Sequence, residues 1–382
     1  MSGKDLDTMR REIDAIDQNL VALFERRMAI VDEIAAIKQA NGLSIYHPGR
    51  EQEVIDRAVD RLSDQSLVPF VRELFLNMMQ LSRKRQGEGV PSSVKRLRPP
   101  LTSDTVIGYQ GVMGSFSEEA TLGFFCPDAA FQNYDAFEDV FVALKKGEIR
   151  YGVLPIENSN TGSIATVVDL LGEYGFYIIG EEIVKVRYHL WGLPGADLVG
   201  ITHVYSHPQG FLQCHELMDA HRDWLQVPYK NTATSAKYVS EQGNPAYASL
   251  SSIRAGELYG LTPLAENVHD NDYNYTRFAV IGPEMIADAS CDKISIVFSL
   301  DHVPGSLFSA LSAFPKHGAN ILKIESRPIK GVSWEYFFYL DFSGNMSDDI
   351  TRTLLHEVKT HCNFFKLLGN YQACPMPDGK ER

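Results

Sequence analysis

Apolar positions in the N-terminal region recur with a helical period. The stripe alternates steps of three and four residues from Leu6 through Ile13 and Leu20, and it continues to Ile37. No proline or glycine interrupts residues 4–40. At about 1.5 Å per residue, the pattern predicts one helix roughly 55 Å long. Because such a rod exceeds the diameter of a small domain, the pattern also favours packing against a partner helix.

Two cations lie on this apolar stripe. Arg27 occupies a stripe position, and Lys38 follows within roughly 20° of the same direction at about 100° per residue. A cation on an apolar face is costly unless it meets an anion, so the pattern indicates an anion-binding site. Two further helices are predicted before residue 87, and the second continues its apolar stripe into the polar pair Ser82 and Gln86. A helical module that only dimerises, with its arginines extended towards solvent, is the alternative.

The rest of the chain alternates between strand-like and helix-like patterns. Residues 87–103 have no periodicity and end in a double proline, which indicates a linker. From residue 104, short apolar strands alternate with helices, and the strand at 275–281 returns to the first group of strands. This crossing predicts two α/β lobes with a cleft between them. Residues 290–371 have the order βαββαβ, which is the ferredoxin-like pattern.

A polar loop follows one of the buried strands. Residues 151–156 form an apolar run that predicts a strand, and residues 157–163 that follow are rich in amide and hydroxyl side chains. Ligands of open α/β sheets bind beyond the carboxyl ends of strands, so this loop is placed where ligands bind. Its donors carry no positive charge. A polar turn that caps a helix is the alternative.

Composition narrows the class of protein. A chain of 382 residues with 44% hydrophobic and 22% charged residues has room for two or three globular domains. The net charge of −13 argues against a general nucleic-acid or acidic-membrane surface. No run approaches the roughly 18 apolar residues of a membrane span, and the polar N-terminus predicts no signal peptide. Five scattered cysteines without Cys-x-x-Cys spacing favour reduced thiols in the cytoplasm and give no support for a zinc site.

The polar loop and a second stretch carry a family resemblance. Residues 151–164 and the run Asn274-Tyr275-Thr276-Arg277-Phe278 resemble the signatures of prephenate dehydratases, in two long and ungapped matches. The resemblance implies that prephenate loses its ring hydroxyl and ring carboxylate together, with Thr276 as the donor that assists the departing hydroxyl. It also implies substrate-binding roles for Glu157, Asn158, Ser159, Thr161, Ser206, Gln213, Arg277 and Phe278.

The helical region resembles the all-helical chorismate mutase family. The positions that match the family's substrate-binding residues are Arg10, Arg27, Lys38, Arg50, Glu51, Ser82 and Gln86. The resemblance implies that Arg10 comes from the other subunit of an intertwined dimer, and Arg10 does lie about 100° from Arg27 on the helical wheel. The reaction is a pericyclic rearrangement, so the protein supplies conformational selection and electrostatic stabilisation without a nucleophile or cofactor. His47 stands where many relatives have an acidic residue, which we expect to tune binding.

The C-terminal region resembles the phenylalanine-responsive ACT domains of prephenate dehydratases. The motif that carries the resemblance is Ile324-Glu325-Ser326-Arg327-Pro328. ACT domains bind amino acids between paired subunits, which implies that the effector contacts are Gly305, Leu307, Glu325, Ser326 and Arg327. Ser306 replaces the alanine that is usual in the family's other motif, and we expect the site to persist.

Together, these resemblances follow the domain order of bifunctional chorismate mutase/prephenate dehydratases (P-proteins) of phenylalanine biosynthesis. We expect an all-α mutase domain (1–86), a linker (87–103), a two-lobed, periplasmic-binding-protein-like α/β dehydratase (104–285), a ferredoxin-like α+β ACT domain (290–371) and a tail (372–382). The expected assembly is a cytoplasmic homodimer, or a tetramer formed by two dimers. Its ligands would be chorismate, prephenate and L-phenylalanine, without metal or cofactor. A dehydratase whose helical domain only dimerises and a non-enzymatic amino-acid sensor are the alternatives.

Overall fold

The computed structural model describes residues 6–40, 48–72, 74, 75, 78, 82, 98–102, 104–125, 129–286, 288–329, 331, 332 and 334–376. The chain divides into two compact units, Met1–Arg96 and Leu97–Arg382. Among the described residues, no helix combines the length and the apolar character needed to cross a membrane.

The first unit is helical. Helix α1 spans Leu6–Ala40, α2 spans Pro48–Asp60, and a 3₁₀ turn at Gln65–Leu67 precedes helical residues at 68–72, 74, 75, 78 and 82. The uninterrupted apolar stripe therefore forms one 35-residue helix, as its periodicity predicts. Much of the stripe is uncovered within the single chain, since Ile13 is 56% and Leu20 is 55% exposed. Exposed apolar surface of this extent on one helix face is typical of a surface that packs against another helix.

The second unit contains fifteen strands in its described part. The strands in chain order are β1 (Val106–Gln110), β2 (Ala130–Tyr134), β3 (Tyr151–Asn158), β4 (Gly162–Ser163), β5 (Tyr177–Lys185), β6 (His189–Gly192), β7 (His203–Ser206), β8 (Leu225–Pro228), β9 (Tyr247–Ser251), β10 (Thr262–Ala265), β11 (Tyr275–Gly282), β12 (Lys293–Ser299), β13 (Ile321–Pro328), β14 (Tyr336–Ser343) and β15 (Phe364–Tyr371). The helices are α3 (Phe116–Phe124), α4 (Phe137–Lys146), α5 (Ala165–Glu173), α6 (Pro208–Leu212), α7 (His215–Ala220), α8 (Thr232–Gln242), α9 (Ile253–Leu258), α10 (Ser306–Lys316) and α11 (Asp349–Thr360), with a 3₁₀ turn at Leu198–Gly200.

Strand β11 is an interior strand of the first lobe. That lobe has the strand order β5-β11-β3-β1-β2, and β11 runs antiparallel to both of its neighbours. Both faces of β11 are buried, because Phe278 and Val280 pack in the core under α3 while Ala279 and Ile281 pack in the core with α4 and α5. The second lobe is a separate sheet with the order β10-β6-β9-β7-β8. The return of the strand at 275–281 to the first lobe is therefore as the sequence predicts.

The C-terminal region continues the sheet of the first lobe. Its elements follow the order βαββαβ from β12 to β15, with the antiparallel strand order β13-β14-β12-β15. Strand β15 also pairs in parallel with β5 at Gly369 and Ile178. A Cβ at position 369 would collide with the carbonyl oxygen of Ile178, which explains the glycine. The βαββαβ pattern predicts this region's strand order, but it does not predict that one sheet joins it to the first lobe.

Candidate functional site

Two predicted site residues meet where β3 and β11 lie side by side. Thr276 and Asn158 are cross-strand partners, and both are largely buried. The Asn158 amide nitrogen Nδ2 lies 3.0 Å from the Thr276 hydroxyl oxygen and donates to it. Because the hydroxyl oxygen already accepts this hydrogen bond, the hydroxyl hydrogen of Thr276 remains available to a ligand.

The polar loop after β3 fixes the orientation of the Asn158 amide. Its carbonyl oxygen Oδ1 accepts from the backbone N–H of Asn160 at 3.0 Å, from the backbone N–H of Thr161 at 3.1 Å and from the Thr161 hydroxyl at 3.2 Å. Ser159 joins this loop to the segment before β11, since its hydroxyl donates to the carbonyl of Tyr273 at 2.8 Å and accepts from the N–H of Tyr275 at 2.9 Å. The predicted residues Ser159 and Thr161 therefore hold the loop together.

Gln213, at the end of α6 in the second lobe, reaches the same cluster through Asn274. The Asn274 amide nitrogen donates to Gln213 Oε1 at 2.8 Å, and Asn274 Oδ1 accepts from Asn158 Nδ2 at 2.8 Å. Asn274 lies inside the second family motif, yet the motif alone assigned it no role. The position of Asn274 two residues before Thr276 was the one sequence feature that suggested a role in the site. Its hydrogen bonds to both Asn158 and Gln213 depend on how the two lobes approach each other.

Two other predicted residues are buried away from this amide cluster. The Ser206 hydroxyl, at the end of β7, donates to the carbonyl of Leu250 at 2.7 Å and packs directly against Gly210. Phe278 is 1% exposed and lies in the apolar core under α3. In this structure, Ser206 and Phe278 therefore contribute to packing within their own lobes.

Arg277 lies in a buried charge cluster, which we define as Glu157, Glu181, Arg277, Lys293 and Asp341. The Arg277 guanidinium donates to Glu157 at 2.9 Å, to Glu181 at 3.2 Å and to Asp341 at 2.8 Å. Lys293 lies 2.9 Å from Glu181 and 3.8 Å from Asp341. The cluster therefore joins β3, β5 and β11 of the first lobe to β12 and β14 of the C-terminal region.

Electrostatics within the buried charge cluster favour the charged forms. Burial by itself would raise the pKa of the Asp341 carboxyl, but the charges of Arg277 and Lys293, with a 2.6 Å hydrogen bond from Ser295, lower it to about 2. Burial would likewise lower the pKa of Arg277, and the carboxylates of Asp341 and Glu181 outweigh it, so that pKa is raised. Arg277 is a cation that three carboxylates of the chain already neutralise.

The first unit brings together two of the predicted mutase residues. Arg27 donates a hydrogen bond to the Ser82 hydroxyl, and that hydroxyl donates to the carbonyl of Met78 at 2.6 Å. Partial burial lowers the pKa of Arg27. Arg10 is exposed on α1 and pairs with Asp7 at 3.4 Å. The side chains of the remaining predicted mutase residues lie outside the described part of the chain, namely Lys38, Arg50, Glu51 and Gln86.

The predicted effector residues fall into two places. Gly305 caps α10 with a φ of 88°, which favours glycine, and Leu307 lines a pocket of about 400 Å³ together with Trp334 and Phe338.

Strand β13 places the rest of the motif elsewhere. Arg327 contacts Asp169 of the first lobe at 3.3 Å, and Glu325 pairs with Lys323 at 3.4 Å. Lys323 in turn lies 3.4 Å from Glu157 and 2.6 Å from the Ser163 hydroxyl. Ser326 is exposed on the opposite face of β13. Within one chain, Glu325 and Arg327 therefore face the first lobe.

Comparisons with known proteins point to two activities. A family model for prephenate dehydratase matches residues 107–286, and a model for chorismate mutase type II matches residues 9–87. The bifunctional chorismate mutase/prephenate dehydratase of Aquifex aeolicus (strain VF5) is 30% identical over 378 residues, which cover 96% of this chain and 98% of that protein.

Two solved structures are similar to most of the chain. Prephenate dehydratase from Arthrobacter aurescens, in complex with L-Phe, aligns with a TM-score of 0.65 and 28% identity over 73% of this chain and 92% of that chain. GqqA, described as a novel type of quorum quenching acylase, aligns with a TM-score of 0.65 and 27% identity over 71% of this chain and 98% of that chain.

Proposed function

The chain belongs to the family of bifunctional chorismate mutase/prephenate dehydratases, and we propose that its dehydratase site is the cluster of Asn158, Gln213 and Thr276. The protein converts chorismate to prephenate and prephenate to phenylpyruvate, two steps of L-phenylalanine biosynthesis. The hydrogen bond from Asn158 to Thr276 carries the assignment of the site, because it leaves the Thr276 hydroxyl hydrogen free to donate.

The dehydratase chemistry needs a donor at the ring hydroxyl and no strong cation at the ring carboxylate. The bond to the carboxylate breaks, its electron pair enters the ring, and the hydroxyl leaves as water with a proton from solvent while carbon dioxide departs. Thr276 assists the departing oxygen by hydrogen bonding. A tightly paired cation would stabilise the carboxylate and oppose its loss. The ion pairs of Arg277 with Glu157, Glu181 and Asp341 support this requirement, because they already neutralise the charge of Arg277.

Chorismate binds in the helical unit in our proposal. Arg27 and Ser82, which contact each other, would hold one carboxylate end of the substrate. Arg10 would come from the other subunit of a homodimer, and the uncovered apolar stripe of α1 supports such a dimer. The family resemblance alone supports the roles of the remaining mutase residues, which are Lys38, Arg50, Glu51 and Gln86.

We also propose that residues 290–371 form an ACT domain at which phenylalanine inhibits the enzyme. The βαββαβ order and the pocket at Leu307 support this proposal, as does the L-Phe complex of the Arthrobacter aurescens protein. Gly305, Leu307 and Ser326 would contact the effector. Glu325 and Arg327 are proposed as effector contacts on the resemblance alone, since their side chains here contact Lys323 and Asp169.

A coupled assay tests the whole proposal. The purified protein is given chorismate alone, and phenylpyruvate is followed with and without phenylalanine. We expect phenylpyruvate to form, and its rate to fall when phenylalanine is added. Accumulation of prephenate would contradict the Thr276 site. Untouched chorismate with turnover of supplied prephenate would mean that the helical unit only dimerises, and binding without any turnover would leave an amino-acid sensor.

A further inference from the structure

Asn274 lies in the dehydratase site without a role in the family resemblance. It is 1% exposed and directly precedes β11, two residues before Thr276. Its side chain makes two hydrogen bonds of 2.8 Å, one from Asn158 in the first lobe and one to Gln213 in the second. Asn274 is therefore the amide that connects the two proposed substrate-binding residues across the cleft.

The direction of every hydrogen bond in this chain of amides is determined. The backbone N–H groups of Asn160 and Thr161 can only donate, so the Asn158 atom that faces them must be the oxygen. Asn158 consequently presents its NH₂ group to Asn274, whose oxygen must face it. Asn274 then presents its own NH₂ group to the Gln213 oxygen.

The series of hydrogen-bonded amides ends in a hydrogen-bond donor on each side of the cluster. Because the Gln213 oxygen is turned towards Asn274, its Nε2 hydrogens are the group left for a ligand, and none of the described residues accepts from them. Thr276 offers its hydroxyl hydrogen for the corresponding reason. Prephenate carries two carboxylates, whose oxygens only accept hydrogen bonds. The opposite orientation of Gln213 would bring an amide oxygen against a carboxylate and repel it.

We propose that Asn274 is a positioning residue of the dehydratase, and that it acts by forcing Gln213 to present a donor to the substrate. This inference rests on the proposed function of the site. The competing view is that Asn274 only stabilises the contact between the lobes. The two views differ in what happens when a carboxylate replaces the Asn274 amide.

The variant Asn274→Asp keeps the shape of the side chain and changes its hydrogen-bond character with pH. The ionised Asp accepts only, so Gln213 must turn its NH₂ group towards it and present its oxygen to the substrate. The protonated Asp can donate to the Gln213 oxygen and restores the native direction. Because burial raises the pKa of a carboxyl above its ordinary value of about 3.9, this change falls at mildly acidic pH.

The experiment compares the kcat/KM for prephenate of the full-length variants with that of wild type across the pH range. At about pH 8, we expect Asn274→Asp to lose about 10- to 100-fold, the cost of one hydrogen bond to a charged group, and to regain most of it towards about pH 5. Asn274→Leu should lose a similar factor at every pH, without recovery. Asn267→Asp, an exposed position of the same loop, controls for the added charge and should stay within about threefold.

A second variant keeps the test decisive if position 274 tolerates no change. Gln213→Glu should show the same loss at about pH 8 and the same recovery at low pH, since only the protonated carboxyl donates. Chorismate turnover by each variant and its thermal unfolding report whether the chain is folded. Wild-type activity of either acidic variant at about pH 8 would overturn the proposal. A constant activity ratio of Asn274→Asp to Asn274→Leu across the pH range would overturn it as well. A wild-type protein that does not turn over prephenate would overturn the proposed function, and this inference with it.

Discussion

Asp341→Asn removes one negative charge from the buried charge cluster while it keeps the shape of the side chain. Asp341 receives a hydrogen bond from Arg277 at 2.8 Å and one from Ser295 at 2.6 Å, and Lys293 lies 3.8 Å away. After the substitution, Arg277 and Lys293 retain fewer carboxylates for the same buried positive charge. We expect a loss of stability of the second unit, because each buried cation loses one of its carboxylate partners and water does not replace it.

The size of the effect follows from the pKa of Asp341. That pKa falls from its ordinary value of 3.8 to about 2 in the folded protein, and each pKa unit corresponds to about 1.4 kcal/mol. Since the Asn variant resembles the protonated side chain, we expect the free energy of unfolding to fall by about 2–3 kcal/mol at pH near 7. For a unit of this size, the loss lowers Tm by roughly 5–10 °C.

The pH dependence has a definite sign. The folded pKa lies below the unfolded value, so the stabilisation is present above about pH 4 and disappears as the pH falls from about 4 to about 2. The difference between wild type and Asp341→Asn should therefore be constant from neutral pH to about pH 4 and shrink below it. Urea titration followed by circular dichroism measures this difference without added salt.

A matched control tests whether the effect belongs to the cluster. Asp219 is an exposed carboxylate that pairs with Arg222 at 3.6 Å on the surface of the second lobe. Asp219→Asn should change the free energy of unfolding by less than about 0.5 kcal/mol. The reasoning is refuted if Asp341→Asn and Asp219→Asn cost the same, or if the cost of Asp341→Asn does not shrink below about pH 4.

Three further outcomes test the proposed sites. Thr276→Val should lower the kcat/KM for prephenate by about 10²- to 10³-fold and leave chorismate turnover unchanged, whereas Thr276→Ser should retain most activity; equal rates for Val and Ser would contradict the donor role. Arg27→Ala should lower chorismate turnover by at least about 10²-fold and the exposed neighbour Arg26→Ala by less than about threefold, and unchanged turnover in Arg27→Ala would exclude the mutase site. The Ser306 hydroxyl donates to the carbonyl of Val303 at 3.0 Å, so Ser306→Ala should shift the phenylalanine concentration for half-inhibition by less than about threefold; a shift above about tenfold would mean that the hydroxyl contacts the effector.

The periodicity of apolar residues was sufficient to predict helices and strands, because the formation of each depends mainly on residues close together in the sequence. The uninterrupted stripe predicted the length of α1. The family resemblance assigned Arg27 and Ser82 to one site, and the contact between them is a finding of the structure. The alternation along β13 likewise indicates two faces. It does not indicate what each face meets, and the contacts of Lys323 and Arg327 with the first lobe depend on a partner roughly 160 residues away in the sequence.

The pairing of the C-terminal strands with the sheet of the first lobe could not be predicted from the sequence either. A single parallel pair, Gly369 with Ile178, makes the C-terminal strands continuous with the first lobe. The glycine is compatible with many other local structures, so its close approach to a neighbouring backbone could not be recognised in advance. The buried charge cluster depends on the same junction, because its carboxylates and cations come from five separate strands.

The run from Thr276 to Phe278 shows why a motif can locate a site without indicating the role of each of its residues. The resemblance assigns all three residues to the substrate, but side chains alternate between the faces of a strand. Thr276 and Phe278 therefore lie on the face that packs under α3, where Asn158 meets the hydroxyl. Arg277 lies on the other face, among carboxylates that reach from Glu157 to Asp341. Because Glu157 precedes Asn158 and Arg277 follows Thr276, these two residues of the amide cluster each have a direct neighbour in the buried charge cluster. The charged residues of the two motifs therefore join neighbouring strands, while the neutral residues beside them are the ones that we propose face the substrate.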